Sequence, residues 1–206
     1  RCASVTGAMT SADLRHYVRV YDGCLDAALC ARMIASFGGL ARFHQANGAT
    51  VRRGLEESGW TELNVSRHAD EAFLASFRRT IGAALARYNG DVGLAIPVPD
   101  SGTSSDLVLK RYRPGGGEKF QLHFDAVNHV ANRYLVLLWY LNDVAAGGET
   151  RFPQLGLAVP PRAGRLLMFP PYWMYQHEGL PPVSGDKYIV STYLLFTAHP
   201  AAAPTS

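Results

Sequence analysis

The sequence has 206 residues, of which 48% are hydrophobic and 18% charged, so a single domain over 1–206 with an ordinary apolar core is expected. Twenty basic and seventeen acidic side chains give a net charge of +3, which gives no reason to expect binding to nucleic acid or to a membrane surface. The longest apolar run, residues 134–141, has the length of a strand and is too short for a membrane span.

The cysteines bear on the cellular compartment. Cys2, Cys24 and Cys30 contain no CxxC pair and are odd in number, which argues against a disulfide framework or a structural zinc cluster. This pattern favours a reducing compartment and hence a cytoplasmic location. The sequence begins with Arg1 and not with Met. A leader before Arg1 would change the expected cytoplasmic location.

The first ninety residues predict a short strand at 16–21 and then helical support over about 22–90. Apolar residues four apart, from Leu25 to Phe37, predict a first helix that ends at the glycine pair 38–39. Asp70 is a candidate N-cap for a second helix, which Asn89-Gly90 would end. The polar segment 40–69 between the helices fits a lid, a hairpin or both.

The second half, about 106–197, consists of short apolar segments bounded by Gly and Pro and predicts eight strands. These are 107–113, 120–124, 134–141, 150–152, 157–159, 165–169, 173–177 and 187–196. The pattern indicates a mainly β fold with flanking α-helices, a jelly roll or sandwich. Both faces of 134–141 are apolar, so one should face the interior of the β-structure and the other should be covered by the two helices.

One pair of residues suggests metal chemistry. His123 and Asp125 are two residues apart, so on an extended backbone both side chains leave the same face. His177, on a neighbouring predicted strand, could add a third ligand. Two imidazoles and one carboxylate on one face of an octahedron are typical of non-haem Fe(II) oxygenases, whereas a structural zinc site would usually contain thiolate.

Ordinary structural roles compete with this interpretation. A His-x-Asp pair alone is more often a hydrogen-bonded strand end than a metal site. Lys187 follows His177 by ten residues across a Gly- and Pro-containing turn, so antiparallel pairing would bring the two side chains together. The ammonium could then hold a carboxylate, although on spacing alone a solvated surface lysine is equally expected.

Taken in order, these motifs resemble the catalytic core of 2-oxoglutarate- and Fe(II)-dependent dioxygenases of the prolyl 4-hydroxylase type. The resemblance covers residues 111–196. It rests on His123-Phe-Asp125, on 140–153 with Gly147-Gly148-Glu149-Thr150, on 164–169, on His177-Glu and on Gly185-Asp-Lys187-Tyr.

The resemblance implies a double-stranded β-helix of the jelly-roll, cupin-like type, with Fe(II), 2-oxoglutarate and O2 as cofactor and cosubstrates and ascorbate as a further candidate. The implied site residues are the iron ligands His123, Asp125 and His177 and the 2-oxoglutarate-binding residues Lys187, Thr150 and Tyr112. Tyr193 stands where the family often has a tryptophan, which bears on substrate contacts.

The expected reaction is hydroxylation of an unactivated C–H of a peptidyl or amino-acid-like substrate, with release of succinate and CO2. One alternative is a tailoring oxygenase that hydroxylates, desaturates or epoxidises a small secondary metabolite. A non-catalytic jelly-roll binding module would be favoured only if the triad or Lys187 were damaged.

The partner is therefore expected to be a small molecule or a short peptide. Its capture is assigned to 42–64, which contains Arg52, Arg53 and Trp60, together with the loop 126–132. Arg165 is expected to be solvated and to be the next candidate partner for the 2-oxoglutarate carboxylate.

Overall fold

The structure, a computed structural model, describes residues 13–48 and 54–197. The described helices are α1 (Ala27–Gly39) and α2 (Glu71–Val92). The described strands are β1 (Arg19–Tyr21), β2 (Gln45–Gly48), β3 (Gly59–Asn64), β4 (Val108–Tyr112), β5 (Phe120–His123), β6 (Arg133–Tyr140), β7 (Thr150–Phe152), β8 (Leu157–Val159), β9 (Leu166–Phe169), β10 (His177–Gly179) and β11 (Lys187–Leu195). Cys2, Arg52, Arg53 and residues 200–206 lie outside the described residues.

The strands form two sheets with antiparallel pairing. The major sheet has the order β1-β9-β6-β11-β4-β3-β2, and the minor sheet has the order β5-β10-β7-β8. An apolar cluster that includes Val136 and Leu138 of the major sheet and Phe152 and Val159 of the minor sheet joins the two. The mainly β jelly-roll fold with flanking helices is therefore confirmed.

Strand β6 lies near the middle of the major sheet and has two buried faces. Leu135, Leu137 and Trp139 pack on the helix side, where the Phe77 ring of α2 meets the Trp139 indole edge-on with 5.1 Å between centroids. Val136 and Leu138 face the minor sheet. The prediction that the helices cover one face of this strand is confirmed, and the opposite face of the sheet, called the inner face below, encloses the space between the sheets.

Side-chain caps set where both helices begin. The Asp26 carboxylate accepts from the Leu29 N–H at 2.6 Å, and the Asp70 carboxylate accepts from the Phe73 N–H at 2.7 Å. The expected end of α2 at Asn89-Gly90 was wrong. The Asn89 side chain instead pairs with the backbone of Val98, and α2 continues to Val92, where Gly93, with a positive φ of 64°, caps it.

The segment between the helices contains a hairpin. Strand β2 pairs with β3, and β3 pairs with β4, so the hairpin extends the major sheet. The Trp60 ring lies against Phe120 with 4.7 Å between centroids. Of the alternatives for 40–69, the hairpin is what the structure contains, and it packs against the strand that ends at His123.

Two predicted strands were wrong in part. Residues Leu14–Tyr17 form a 3₁₀ turn capped by Asp13, so that only Arg19–Tyr21 pairs with β9. Residues Trp173–Tyr175 also form a 3₁₀ turn, and pairing starts at His177. The preceding Pro171 carbonyl accepts from the backbone N–H groups of Asp125 and Ala126, which turns the chain away from the sheet. In the part of the chain that the structure describes, no helix has both the length and the hydropathy needed to cross a membrane.

Candidate active site

Three potential metal ligands converge at one end of the minor sheet. His123 ends β5 and is paired in register with His177, the first residue of β10, while Asp125 follows β5 directly. One ligand atom from each residue lies within 4.8 Å of the others. The three predicted residues are thus brought together by a strand pair and the turn beside it.

Hydrogen bonds orient both imidazoles toward the centre of this cluster. His123 Nδ1 lies 2.7 Å from the Gln121 carbonyl oxygen, and His177 Nδ1 lies 3.1 Å from the Tyr175 carbonyl oxygen. Since a carbonyl oxygen only accepts, each Nδ1 carries the proton and each Nε2 keeps a lone pair. Each Nε2 is 3.5 Å from a carboxylate oxygen of Asp125.

Two atoms of the cluster are buried without a hydrogen-bond partner, His123 Nε2 and Asp125 Oδ2. A buried polar atom without a partner costs free energy, so such atoms call for a ligand. Two neutral imidazoles and one carboxylate form a donor set for a divalent cation. The residues therefore fit the metal that the sequence predicted.

Burial and mutual contact also set the protonation states that a metal requires. Burial lowers the pKa of His177 to about 4, and His123 adds to that shift, so the ring is neutral near pH 7. Burial alone would raise the pKa of Asp125, but His177 and His123 outweigh it and hold the pKa below its usual value. A neutral imidazole and an ionised carboxylate are the forms that bind metal.

Lys187 enters the same cavity from the opposite sheet. It pairs in register with Tyr112 of β4, whereas His177 belongs to the minor sheet, so the expected antiparallel pairing of their strands was wrong. The chain between them crosses from one sheet to the other. A cavity between the sheets is nevertheless lined by both side chains, together with Thr150 and Tyr112.

The Lys187 ammonium is almost completely buried. Its Nζ lies 5.1 Å from the centre of the Tyr112 ring and 3.7 Å from the position of a Cβ built on Gly179. Burial lowers the pKa of Lys187 to about 7, and Glu149 partly opposes this shift. An anionic ligand would restore the charged form, so the cavity is suited to a carboxylate.

Gly148 makes room for the lysine side chain. Its φ is +80°, and a Cβ there would lie 3.3 Å from Lys187 Cδ and 3.3 Å from Pro161 Cγ. A larger residue would be strained by its backbone conformation and would crowd the lysine stem.

Thr150 is paired with Gly179 on the neighbouring strand and lines the same cavity as Lys187. The Tyr140 hydroxyl donates to Thr150 Oγ1 at 2.6 Å, so the proton of the Thr150 hydroxyl remains available to a ligand oxygen. Tyr112 is 2% exposed, and burial raises the pKa of its phenol, which stays protonated. All six predicted site residues therefore line one cavity.

Two contacts at the site were not predicted from the sequence. The Tyr193 hydroxyl donates to Asp125 Oδ1 at 3.0 Å. The Arg133 guanidinium lies over the Tyr193 ring, 3.7 Å from its centroid, and donates to the Asp125 carbonyl at 3.2 Å. The even spacing of 187 and 193 on one strand was a usable signal, since it puts both side chains on the inner face.

Arg165 is not a solvated residue, contrary to expectation. It is 7% exposed and its guanidinium binds the Asp22 carboxylate at 2.6 Å and the Pro160 carbonyl at 2.9 Å. With its donors committed to these partners, it is a poor second candidate for the cosubstrate. A larger apolar groove of about 330 Å³ lies on the helix side, lined by residues such as Leu29 and Phe73, but none of the triad borders it.

Comparison with known proteins supports the chemistry of this cavity. Residues 107–195 match the model of the 2OG-Fe(II) oxygenase superfamily. That part of the chain is therefore similar to this superfamily. The relatives it resembles include the chicken prolyl 4-hydroxylase subunit alpha-1, 29% identical over 112 residues that make up 46% of this chain. The Arabidopsis thaliana probable prolyl 4-hydroxylase 4 is 24% identical over 209 residues, which is 85% of this chain and 66% of the plant protein.

The fold comparison extends over more of the chain. A prolyl hydroxylase from Trichoplax adhaerens, solved in complex with a hypoxia inducible factor oxygen degradation domain peptide fragment, superposes with a TM-score of 0.66 at 16% identity. The match covers 87% of this chain and 84% of that chain. The sequence match to the chicken subunit spans only about a fifth (21%) of that protein's length.

Proposed function

We propose that the protein is an Fe(II)- and 2-oxoglutarate-dependent hydroxylase acting on an unactivated C–H of a peptidyl or amino-acid-like substrate. The observation that carries the proposal is one cavity containing both convergent, partnerless metal-ligand atoms and a buried lysine. A metal alone would explain the triad, and a structural role would leave the lysine unexplained. Together they fit a metal with a carboxylate cosubstrate.

In this proposal the iron is held by His123, Asp125 and His177. The two Nε2 atoms and a carboxylate oxygen supply three ligands, which leaves positions for cosubstrate and O2. Bound iron and 2-oxoglutarate supply the oxidising chemistry, with decarboxylation of the oxo acid to succinate and CO2. The protein binds and orients the reactants and excludes water.

Lys187 would bind the distal carboxylate of 2-oxoglutarate. The ammonium lies in a water-poor cavity, where a charged hydrogen bond contributes more than at the surface. The free proton of the Thr150 hydroxyl could be donated to the same carboxylate. The Tyr112 ring, beside the amine, limits the position of its Nζ and could donate its phenol proton.

A peptide is the favoured substrate class because the relatives carry prolyl 4-hydroxylase names and the Trichoplax neighbour was solved with a peptide fragment. The exposed side chain of Val127, two residues after Asp125, offers an apolar contact to an extended segment. A small secondary metabolite remains the second candidate.

Succinate release tests the function and the substrate class together. The protein is supplied with Fe(II), 2-oxoglutarate and ascorbate and screened against proline-containing peptides, free amino acids and small metabolites, with product mass measured in parallel. A gain of about 16 Da on a peptide with stoichiometric succinate supports the proposal. Product formation only with small metabolites supports the tailoring alternative, and succinate formation by His177→Ala equal to that of the native protein contradicts the site assignment.

A further inference from the structure

Asp125 differs from the two histidines in how its ligand atoms are held. Its two carboxylate oxygens are inequivalent: Oδ1 accepts from the Tyr193 hydroxyl at 3.0 Å, whereas Oδ2 is buried with no hydrogen-bond partner. Each oxygen also faces a different imidazole, Oδ1 toward His123 Nε2 and Oδ2 toward His177 Nε2. In a carboxylate that rotated freely, the two oxygens would have equivalent surroundings.

The Tyr193 phenol, which donates to Oδ1, is held in position by Arg133. The Arg133 guanidinium lies 3.7 Å from the centroid of the Tyr193 ring, close enough for stacking. The same guanidinium donates to the Asp125 backbone carbonyl at 3.2 Å. One arginine therefore contacts both the phenol that binds the carboxylate and the main chain that carries it.

The position of Tyr193 in its strand explains why the phenol reaches the carboxylate. The side chains of β11 that lie on the inner face are those of residues 187, 189, 191 and 193. The Tyr193 backbone N–H donates to the Ser105 hydroxyl at 3.1 Å. Phenylalanine at this position would preserve packing and lose only the hydroxyl. The contact is therefore chemically separable from the core.

We propose that Tyr193, held by Arg133, is a positioning residue that limits Asp125 to one metal-binding oxygen, Oδ2. This inference rests on the proposed function, since it assumes that the triad binds the metal. The hydrogen bond from the phenol holds Oδ1 in place, so Asp125 would offer a metal Oδ2 and would not compete with 2-oxoglutarate by chelating through both oxygens. Tyr193 does not touch the reacting atoms in this scheme and acts through Asp125.

The test compares Tyr193→Phe with Tyr134→Phe in the metal-free protein. Tyr134 is the control because it is a buried tyrosine of the same sheet whose hydroxyl also donates a hydrogen bond, to the backbone carbonyl of Pro99 at 2.7 Å. Mn²⁺ affinity is measured by titration calorimetry, and the visible absorption of the Co²⁺-loaded protein reports the ligand arrangement. Unfolding free energy without metal is measured for both variants.

We expect Tyr193→Phe to weaken Mn²⁺ binding by about tenfold, the lower end of the range for loss of an outer-sphere hydrogen bond, and to shift the Co²⁺ spectrum. Tyr134→Phe should change unfolding free energy alone. Native Mn²⁺ affinity and Co²⁺ spectrum in Tyr193→Phe would overturn the inference, as would an equal loss of affinity in both variants. Arg133→Gln, which keeps the phenol and removes its support, should give a smaller shift in the same direction.

Asp125→Ala separates this inference from the proposed function. If Asp125→Ala loses Mn²⁺ and Tyr193→Phe does not, the triad stands and the positioning role fails. If Asp125→Ala binds Mn²⁺ as well as the native protein, the metal site itself is misassigned.

Discussion

The two faces of the major sheet differ in what they bury. On the helix side the buried residues include Leu135, Leu137, Trp139 and Val190, which contact the apolar surface of the helices. The inner face, made from alternate residues of the same strands, buries apolar residues such as Val136 and, in addition, polar and charged groups such as Lys187 and Ser191.

This difference separates stability from chemistry. Apolar burial on the helix side stabilises the fold roughly in proportion to area. Burying an ammonium on the inner face, or a carboxylate oxygen that lacks a partner, has the opposite sign until a ligand arrives. The free energy lost by burying polar groups on the inner face can therefore be offset by apolar burial on the helix side. Substitutions on the two faces should have separable effects.

Loss of a metal ligand should have the largest effect. His123→Ala, Asp125→Ala and His177→Ala should each weaken Mn²⁺ binding by more than the roughly 10–100-fold typical of outer-sphere changes, because water cannot replace a fixed ligand. Titration calorimetry and metal content after Fe(II) loading measure this. His129→Ala, an exposed histidine near the cluster in sequence, is the control. Full metal content in all three ligand variants would contradict the site.

The helix side should show the converse behaviour. Phe77→Ala removes a ring packed against Trp139 and should lower the free energy of unfolding by about 3–5 kcal/mol, measured with urea. Mn²⁺ affinity of the folded protein should not change, because the cavity lies across the sheet. A parallel loss of affinity and stability would mean that the two faces are coupled.

Much of this division could be predicted from the sequence because it follows from side-chain periodicity. The alternation in β6 predicted two buried faces, and the two-residue spacing of His123 and Asp125 predicted their common direction. Helix starts were also predictable, since Asp26 and Asp70 cap locally. These features depend on neighbours in the chain.

Features that depend on distant contacts were not predictable in the same way. The Asn89 side chain binds the backbone of Val98 beyond the helix, and α2 runs past Asn89 to Val92, where Gly93 caps it. Arg165 is buried because Asp22, far away in sequence, accepts from its guanidinium. The pairing of Lys187 with Tyr112 instead of with the strand of His177 is likewise a property of sheet topology. A single sequence contains no direct record of such pairs.

Lys187 tests this comparison directly, because its burial destabilises the fold while its positive charge favours binding of a carboxylate at the site. Lys187→Ala should weaken 2-oxoglutarate binding to the Mn²⁺-loaded protein about tenfold or more, as expected for loss of a charged hydrogen bond of roughly 1.5–3 kcal/mol. Lys119→Ala, a partly exposed lysine paired with Glu57, is the control and should bind normally. If Lys187→Ala bound 2-oxoglutarate with unchanged affinity, the distal carboxylate would have to bind to another residue.

The same lysine predicts a pH dependence in the ligand-free protein. Its pKa is about 7 when folded, against 10.5 for the free side chain, so between these values the unfolded chain binds one more proton. Stability should therefore rise with pH across this window, by up to about 1.4 kcal/mol per unit, and the gain should be absent below pH 7. Urea unfolding from pH 6.5 to 9.5 should show the slope in the native protein and a smaller one in Lys187→Met. Identical slopes would mean that the buried amine does not titrate in this range.

The smallest expected effect concerns Thr150, whose hydroxyl has one role in the fold and a proposed one in binding. Thr150→Val keeps the shape, removes the acceptor of the Tyr140 hydroxyl and removes the proton available to 2-oxoglutarate, so affinity should fall about fivefold, or roughly 1 kcal/mol. Tyr140→Phe breaks the same hydrogen bond from the other side but leaves the Thr150 hydroxyl in place. Both variants should therefore lose stability, while only Thr150→Val should lose affinity, and Thr150→Ser should recover it. Equal affinity losses in Thr150→Val and Tyr140→Phe would assign the hydroxyl to the fold alone.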